Sequence, residues 1–167
     1  MYWIGNKNPQ VIIITLIRKV KLADLNSIFS LNEKIFIHHS KNKNFPKMKK
    51  NAAKISRKYL KRQIHNKNAQ IFIVESDEKP IGFAMFTIVK FPPIFIIEKE
   101  VRLAAIFVEK KYRKKGIAQK LIKEGRKWGK TKGLNHMNLG VSARNKQALA
   151  AYKKAGFKIR RYLMKNY

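Results

Sequence analysis

The segment from Val101 to Ala118 constrains this chain more than any other, because it changes character twice within a short distance. Val101 to Val108 is apolar and β-branched enough for a buried strand, and from Ile117 the apolar positions Ile117, Leu121, Gly125 and Trp128 recur at the helical period. Between them runs a cationic loop, Lys110 to Ala118, with a glycine at Gly116. Glycine lets backbone pass close to a bound group, and the opening turn of the next helix offers unpaired N–H donors at the positive end of its dipole. The combination is an anion site. Arg113, Lys114 and Lys115 add formal positive charge, so a diphosphate suits it better than a lone carboxylate.

Two spacings carry the argument further. Arg113-Lys114-Lys115-Gly116-Ile117-Ala118 fits (Q/R)-x-x-G-x-(G/A), directly after a hydrophobic strand. Downstream, Asn145, Ala148, Tyr152 and Gly156-Phe157 fit N-x-x-A-x-x-x-Y-x-x-x-G-F. Solvated lysines beside a generic strand-loop-helix unit account for neither the Asn-to-Phe spacing nor the tyrosine. With both patterns in this order, the chain resembles the GCN5-related N-acetyltransferases, the GNAT family. The resemblance implies an α/β GNAT fold: a mixed, mostly antiparallel central sheet flanked by helices, with the fourth and fifth strands splayed. It also implies acetyl-CoA as cosubstrate, with no metal.

Composition sets the outer limits. A length of 167 residues suits one domain with room for a core, here 1–167, with 1–10 as a possible flexible tail. With no cysteine, disulfides, thiolate catalysis and cysteine zinc sites are excluded. No apolar run approaches about 18 residues and Met1 to Gln10 lacks the shape of a signal peptide, so the expectation is a cytoplasmic protein with no membrane partner. Lys and Arg total 39 against 9 Asp and Glu, a formal net charge of +30. Such a field draws in anions and disfavours polyamine substrates. A diphosphate and one further phosphate need only a few cations, so the excess has another cause. Contact with RNA, a ribosomal surface or an acidic protein is one; a genome-wide lysine and asparagine bias is the other.

In chain order, Val11 to Val20 reads as a first, edge or near-edge strand. A helix follows, with Asp24 in its first turn and Leu25, Ile28, Phe29 and Phe36 as its stripe. His38 and His39 are adjacent and point apart, with no other ligand at metal spacing. Lys41 to Pro46 is a polar break, and Pro46 suits the first turn of a second, strongly basic helix with the stripe Met48, Ala52, Ile55 and Tyr59. The resemblance implies that these two helices wall the acceptor site. Ala69 to Glu75 and Pro80 to Lys90 read as a hairpin, in which Gly82 marks a bulge or close packing. Phe91-Pro92-Pro93 interrupts the ladder before a long strand from Glu98 or Glu100 to Val108. A helix to about Lys132, a strand Leu134 to Ser142, a helix capped by Asn145 and a last strand Phe157 to Met164 complete the chain.

Thioester aminolysis needs a deprotonated amine, a polarised carbonyl and an acid for the departing thiolate. The resemblance assigns the diphosphate to Arg113, Lys114, Lys115, Gly116, Ile117 and Ala118. It assigns the pantetheine arm to the backbone of Ile106, Phe107 and Val108, with Asn145 bonding that arm and Tyr152 protonating the sulfur. The plain readings are a helix cap for Asn145 and a stripe aromatic for Tyr152. A base is harder to place. Some relatives carry a glutamate five residues before the asparagine, where this chain has Gly140; others carry one on the fourth strand, where Arg102 aligns most directly. Strict alternation puts Glu100 on one face with Arg102, Ala104, Ile106 and Val108, which makes it first choice as base. Glu98, or a water chain ending on a backbone carbonyl, competes with it.

Only Lys158 to Tyr167 follow the second motif, so the last strand is single or a partner chain completes the sheet, in a monomer or homodimer. An open, basic mouth then suits a peptide or protein amine. Two functions remain: an N-acetyltransferase acting on a primary amine, and a non-catalytic module binding RNA, another polyanion or acyl-CoA on the same fold.

Overall fold

The hairpin from Ala69 to Lys90 forms the middle of the sheet in this computed structural model, which describes residues 14–40 and 47–164, excepting the side chains of 38–40. Its strands, β2 (Ala69–Ser76) and β3 (Lys79–Lys90), meet in a two-residue turn at Asp77 and Glu78, with φ of 49° and 60°. Left-handed backbone at both turn positions matches the twist of the flanking strands. Opposite the turn's neighbour Glu75 the register slips, leaving Ile81 as an extra residue between Pro80 and Gly82. Gly82 also packs tightly: a Cβ there would stand 2.6 Å from the Phe107 carbonyl oxygen. Both sequence readings of Gly82 hold.

The sheet order is β1-β2-β3-β4-β5, with β1 (Leu16–Lys19) at one edge and β5 (Met137–Leu139) at the other. Only β4 (Lys99–Val108) and β5 run parallel. Helices α1 (Leu25–Ser40) and α2 (Ala52–Ile64) cover one face, through Ile28, Leu31 and Leu60 against Ile71, Ile73, Phe83 and Met85. Helix α3 (Ile117–Thr131) covers the other, through Leu121, Ile122 and Trp128 against Phe72, Phe86, Val101 and Leu103. Each such side chain removed from water contributes about 1.5–3 kcal/mol, so the two clusters hold the sheet from both sides. Gly125 is required for the second: a Cβ there would meet the Phe86 ring at 2.2 Å.

Several expectations are corrected. Of the first strand, only Leu16–Lys19 pairs, and residues 11–13 lie outside the described residues, as does the Lys41 to Pro46 break. Asp24 belongs to a 3-10 turn ahead of α1, where it accepts from the Lys21 backbone at 2.7 Å and from both Arg18 amino groups. Helix α2 is rotated from its expected stripe. Met48, Ile55 and Tyr59 are exposed, while Leu60 and Gln63 are buried and Ser56 accepts from Asn32 Nδ2 at 3.0 Å. This helix carries apolar residues on two sides, and α1 takes the side with the small Ser56. The fifth strand is three residues rather than the predicted Leu134 to Ser142: among the described residues its pairing with β4 covers Val101, Arg102 and Leu103 alone. Lys158–Met164 forms no strand; Ile159, Tyr162, Leu163 and Met164 are exposed, with no second layer to bury one face of a strand.

Candidate active site

One extra residue in β4 creates the opening. Met85 pairs with Ala105 and Phe86 with Leu103, so Ala104 is bulged out of the β3–β4 ladder. The parallel pairing of β4 with β5 covers Val101, Arg102 and Leu103 and stops there. From Ala104 onward the outer edge of β4 has no neighbouring strand among the described residues. Before the bulge, Val101 faces β5, since its N–H donates to the His136 carbonyl at 3.0 Å. After it, Glu109 faces β3, donating to the Ile81 carbonyl at 2.8 Å, so by alternation Phe107 and Ala105 face β3 as well. Ile106 and Val108 therefore turn their backbone groups to the open edge. Ile106 and Val108, the residues expected to face a gap between the fourth and fifth strands, lie on this unpaired edge.

The loop after β4 is tied back onto it. Arg113 Nε donates to the Val108 carbonyl at 2.8 Å, and its guanidinium lies 5.7 Å from the Phe107 ring centre. Arg113 thus shapes the loop from inside rather than reaching outward. Lys114 and Lys115 are exposed; Lys114 adopts φ of 63°, an uncommon value for a residue with a Cβ, and Gly116 follows at φ 75° as the N-cap of α3. Lys120 N–H donates to the Gly116 carbonyl at 3.0 Å, the first bond of the helix. The amides of Ile117, Ala118 and Gln119 precede it and point out of the helix end, with no side-chain cap over them. Among the described residues, nothing lies within 4 Å of where a Gly116 Cβ would be. This donor set fits a diphosphate.

Helix α4 (Lys146–Lys154) presents the second motif. Asn145 Oδ1 accepts from the Ala148 N–H at 3.0 Å, so its oxygen caps the helix. Tyr152 packs on the α3-side cluster with Ile106 and Leu139, in a T-shaped contact with Phe157 at 6.0 Å. Burial raises its hydroxyl above the usual tyrosine value of 10.0, because desolvation disfavours the phenolate. Arg126 of α3 fixes this corner, donating to the Ala155 carbonyl at 2.6 Å with its guanidinium 5.2 Å from the Phe157 ring centre. Tyr152, Ile106 and the start of α3 are thus brought to one side of the sheet.

Glu100 is elsewhere. The bulge reverses the phase of β4, so Ile106 and Val108 share the α3 face with Val101 and Leu103, while Glu100 and Arg102 pair with Val89 and Thr87 on the α1/α2 face. The expected common face of Glu100, Ile106 and Val108 is therefore wrong. Glu100 is 5% exposed and accepts from Asn138 Nδ2, while Asn138 Oδ1 accepts from Arg102 Nε at 3.2 Å. Sequence reading missed Asn138. Its signal was a lone amide between Met137 and Leu139 in an apolar strand, opposite Arg102 in the register. Among the described residues, no group of three or more His, Asp or Glu could hold a metal ion.

Known proteins share this architecture. An uncharacterized N-acetyltransferase of Methanocaldococcus jannaschii is 29% identical over 143 residues, covering 84% of this chain and 59% of that protein, so the chain spans less than two thirds of its length. The aminoglycoside N-acetyltransferase AAC(6')-Iy, solved in complex with CoA, superposes with a TM-score of 0.75 at 21% identity over 93% of this chain and 95% of that one. A predicted acetyltransferase from Clostridium acetobutylicum, solved with acetyl-CoA, gives 0.76 at 19% over 92% and 96%. At these identities the structural likeness speaks for the fold alone. Residues 32–157 match the Acetyltransferase (GNAT) family; that stretch holds the unpaired edge of β4, the left-handed glycine cap and both motifs, and the chain belongs to this family.

Proposed function

We propose that the chain moves an acetyl group from acetyl-CoA directly to a primary amine, preferably that of a peptide or protein. The observation that carries this reading is the open edge of β4 beyond Leu103, with Ile106 and Val108 turned toward it beside the uncapped start of α3. The diphosphate takes the amides of Ile117, Ala118 and Gln119, with Arg113 holding the loop and Lys114, Lys115 and Gly116 completing the cradle. The pantetheine arm lies along Ile106, Phe107 and Val108, and the Asn145 amide nitrogen donates to it. Since Arg113 already occupies the Val108 carbonyl, the free groups are those of Ile106 and the Val108 N–H.

The acceptor nitrogen attacks the thioester carbonyl, its oxygen takes the Ile106 N–H as charge develops, and the C–S bond breaks as the amide forms. Tyr152 gives its proton to the departing thiolate; burial suits it, because the hydroxyl stays protonated until wanted. The amine's proton leaves to solvent: Glu100, first choice as base from the sequence, lies on the α1/α2 face six positions of about 3.3 Å each from Ile106 along β4, hydrogen-bonded to Asn138 and too far to take it directly. A polycationic acceptor is opposed by the net charge of +30, which favours a peptide or protein amine over an aminoglycoside.

The test is coenzyme A release from acetyl-CoA with a panel of peptides, proteins and aminoglycosides, comparing wild type with Tyr152→Phe. Release with a peptide or protein, strongly reduced in the variant, supports the reading. Turnover with aminoglycosides alone moves the acceptor class. A tight, salt-sensitive RNA complex without any turnover replaces the enzyme by the binding module.

A further inference from the structure

The connection between β3 and β4 carries four exposed apolar side chains in one run. Ile94 is 83% exposed, Phe95 53%, Ile96 104% and Ile97 39%. Folding gains almost nothing from Ile96, which touches no core. The loop is nonetheless held: Phe91 N–H donates to the Glu98 carbonyl at 2.7 Å across its neck, and Phe95 N–H to the Pro92 carbonyl at 3.2 Å within it. Two prolines, Pro92 and Pro93, stiffen the rising arm. The result is a protruding apolar tip on a fastened neck, with no side-chain hydrogen-bonding group between residues 94 and 97.

The topology surrounds this tip with cations. Strand β3 ends, β4 begins, β2 begins and α3 ends at the same end of the sheet, because Ala69 pairs with Thr87, Thr87 with Arg102, and Arg102 with Asn138. That end therefore carries the exposed Lys67, Lys90, Lys99, Lys130 and Lys132, with Glu98 as the exposed carboxylate among them. The loop from Lys110 to Gly116 follows the other end of β4, so the two features point away from each other.

We propose that residues 94–97 insert into the surface of an anionic lipid bilayer, with Lys67, Lys90, Lys99, Lys130 and Lys132 at headgroup level. A protein partner would need a pocket shaped to a protruding tip, whereas acyl chains need no shape, and the ring of lysines matches acidic headgroups. A second copy of the chain is repelled by its own +30. Among the described residues no helix is long and apolar enough to cross a membrane, so the contact is peripheral. Bound this way, the chain keeps the opposite end, with its anion cradle, in water.

The test uses the full chain and vesicles of phosphatidylglycerol and phosphatidylcholine. Any protein this basic adheres to anionic vesicles at low salt, so the comparison is made at roughly 0.5 M salt, where the Debye length is about 4 Å. There the Ile94→Ser/Ile96→Ser double variant, which removes no core contact, should partition at least about tenfold more weakly than wild type. Phe95→Trp should gain a blue-shifted emission on vesicles, quenched by brominated acyl chains, above the background of Trp3 and Trp128 in the wild type. Equal partitioning of wild type and double variant, or a Trp at 95 that brominated chains leave unquenched, overturns the proposal. Either result indicates a merely electrostatic attachment or a protein partner for the loop.

Discussion

Arg113 Nε and the Val108 carbonyl oxygen are joined at 2.8 Å, across the corner where β4 becomes the anion loop. The bond turns a formal phosphate ligand into a brace. Arg113→Ala removes a charge-assisted bond and the packing on Phe107, and should weaken coenzyme A about tenfold or more, measured by titration calorimetry. Arg113→Lys should restore little, because one ammonium cannot both bond Val108 and lie over the ring. Unchanged affinity in Arg113→Ala would refute the bracing role.

Two glycines separate cradle from core. Gly116→Ala meets no neighbour but places a Cβ on left-handed backbone, so about 1 kcal/mol of stability is lost while coenzyme A binding falls more steeply. Gly125→Ala drives a methyl into the Phe86 ring and should cost about 1–3 kcal/mol or more, with little change in affinity in the folded fraction. Urea unfolding paired with ligand titration reads both. A reversed pattern contradicts the assignment of the two positions.

Tyr152→Phe keeps the ring and its contact with Phe157 and deletes only the hydroxyl proposed as the acid. The turnover number should fall by about a hundredfold with acetyl-CoA affinity nearly intact. Burial raises the hydroxyl's pKa above 10.0 in the folded state, so the unfolded chain ionises first and stability drains away as pH rises beyond about 10. The variant should lack that part of the alkaline loss. If turnover is unaffected, another group protonates the sulfur.

Asp24 offers the acid counterpart. Its carboxyl is held below the usual 3.8, first by the hydrogen bond from Arg18, which bridges it to Glu75. A depressed folded value gives stability that is present above the unfolded pKa of about 4 and disappears as pH falls through the lower folded one. Asp24→Asn should cost about 1–2 kcal/mol at pH 7 and distinctly less at pH 2, read from urea midpoints. An equal cost at both values argues against the charge as the source.

Glu100→Gln probes the base. Turnover at pH 7 should stay within about twofold of wild type, because Glu100 is bonded to Asn138 on the other face of the sheet from Ile106. A fall of tenfold or more with acetyl-CoA affinity intact would make Glu100 the base after all.

Much of this was legible from residue types. The hairpin, the long strand to Val108, the helix from Ile117 and the Asn145 cap followed from alternation, helical period and capping chemistry, all of which act within a few residues. The phase of β4 was not legible, because a bulge at Ala104 depends on how β3 registers against it; two consecutive alanines in a strand of large residues were its only trace. Met48, Ile55 and Tyr59 formed a valid helical stripe, yet α1 chose the opposite side of α2, a tertiary decision that period alone does not make. The segment after Phe157 had strand-like residues and no layer to bury them.

The unmatched run of β4 past Leu103 has a further side. A bare row of amides is a template for any extended chain, and a sister molecule's loose segment would serve as well as the intended guest. The strong positive field of this chain holds its copies apart while ionic strength is low, and salt weakens that guard. The donor molecule, once seated, shields the same row sterically, so it protects the protein that uses it.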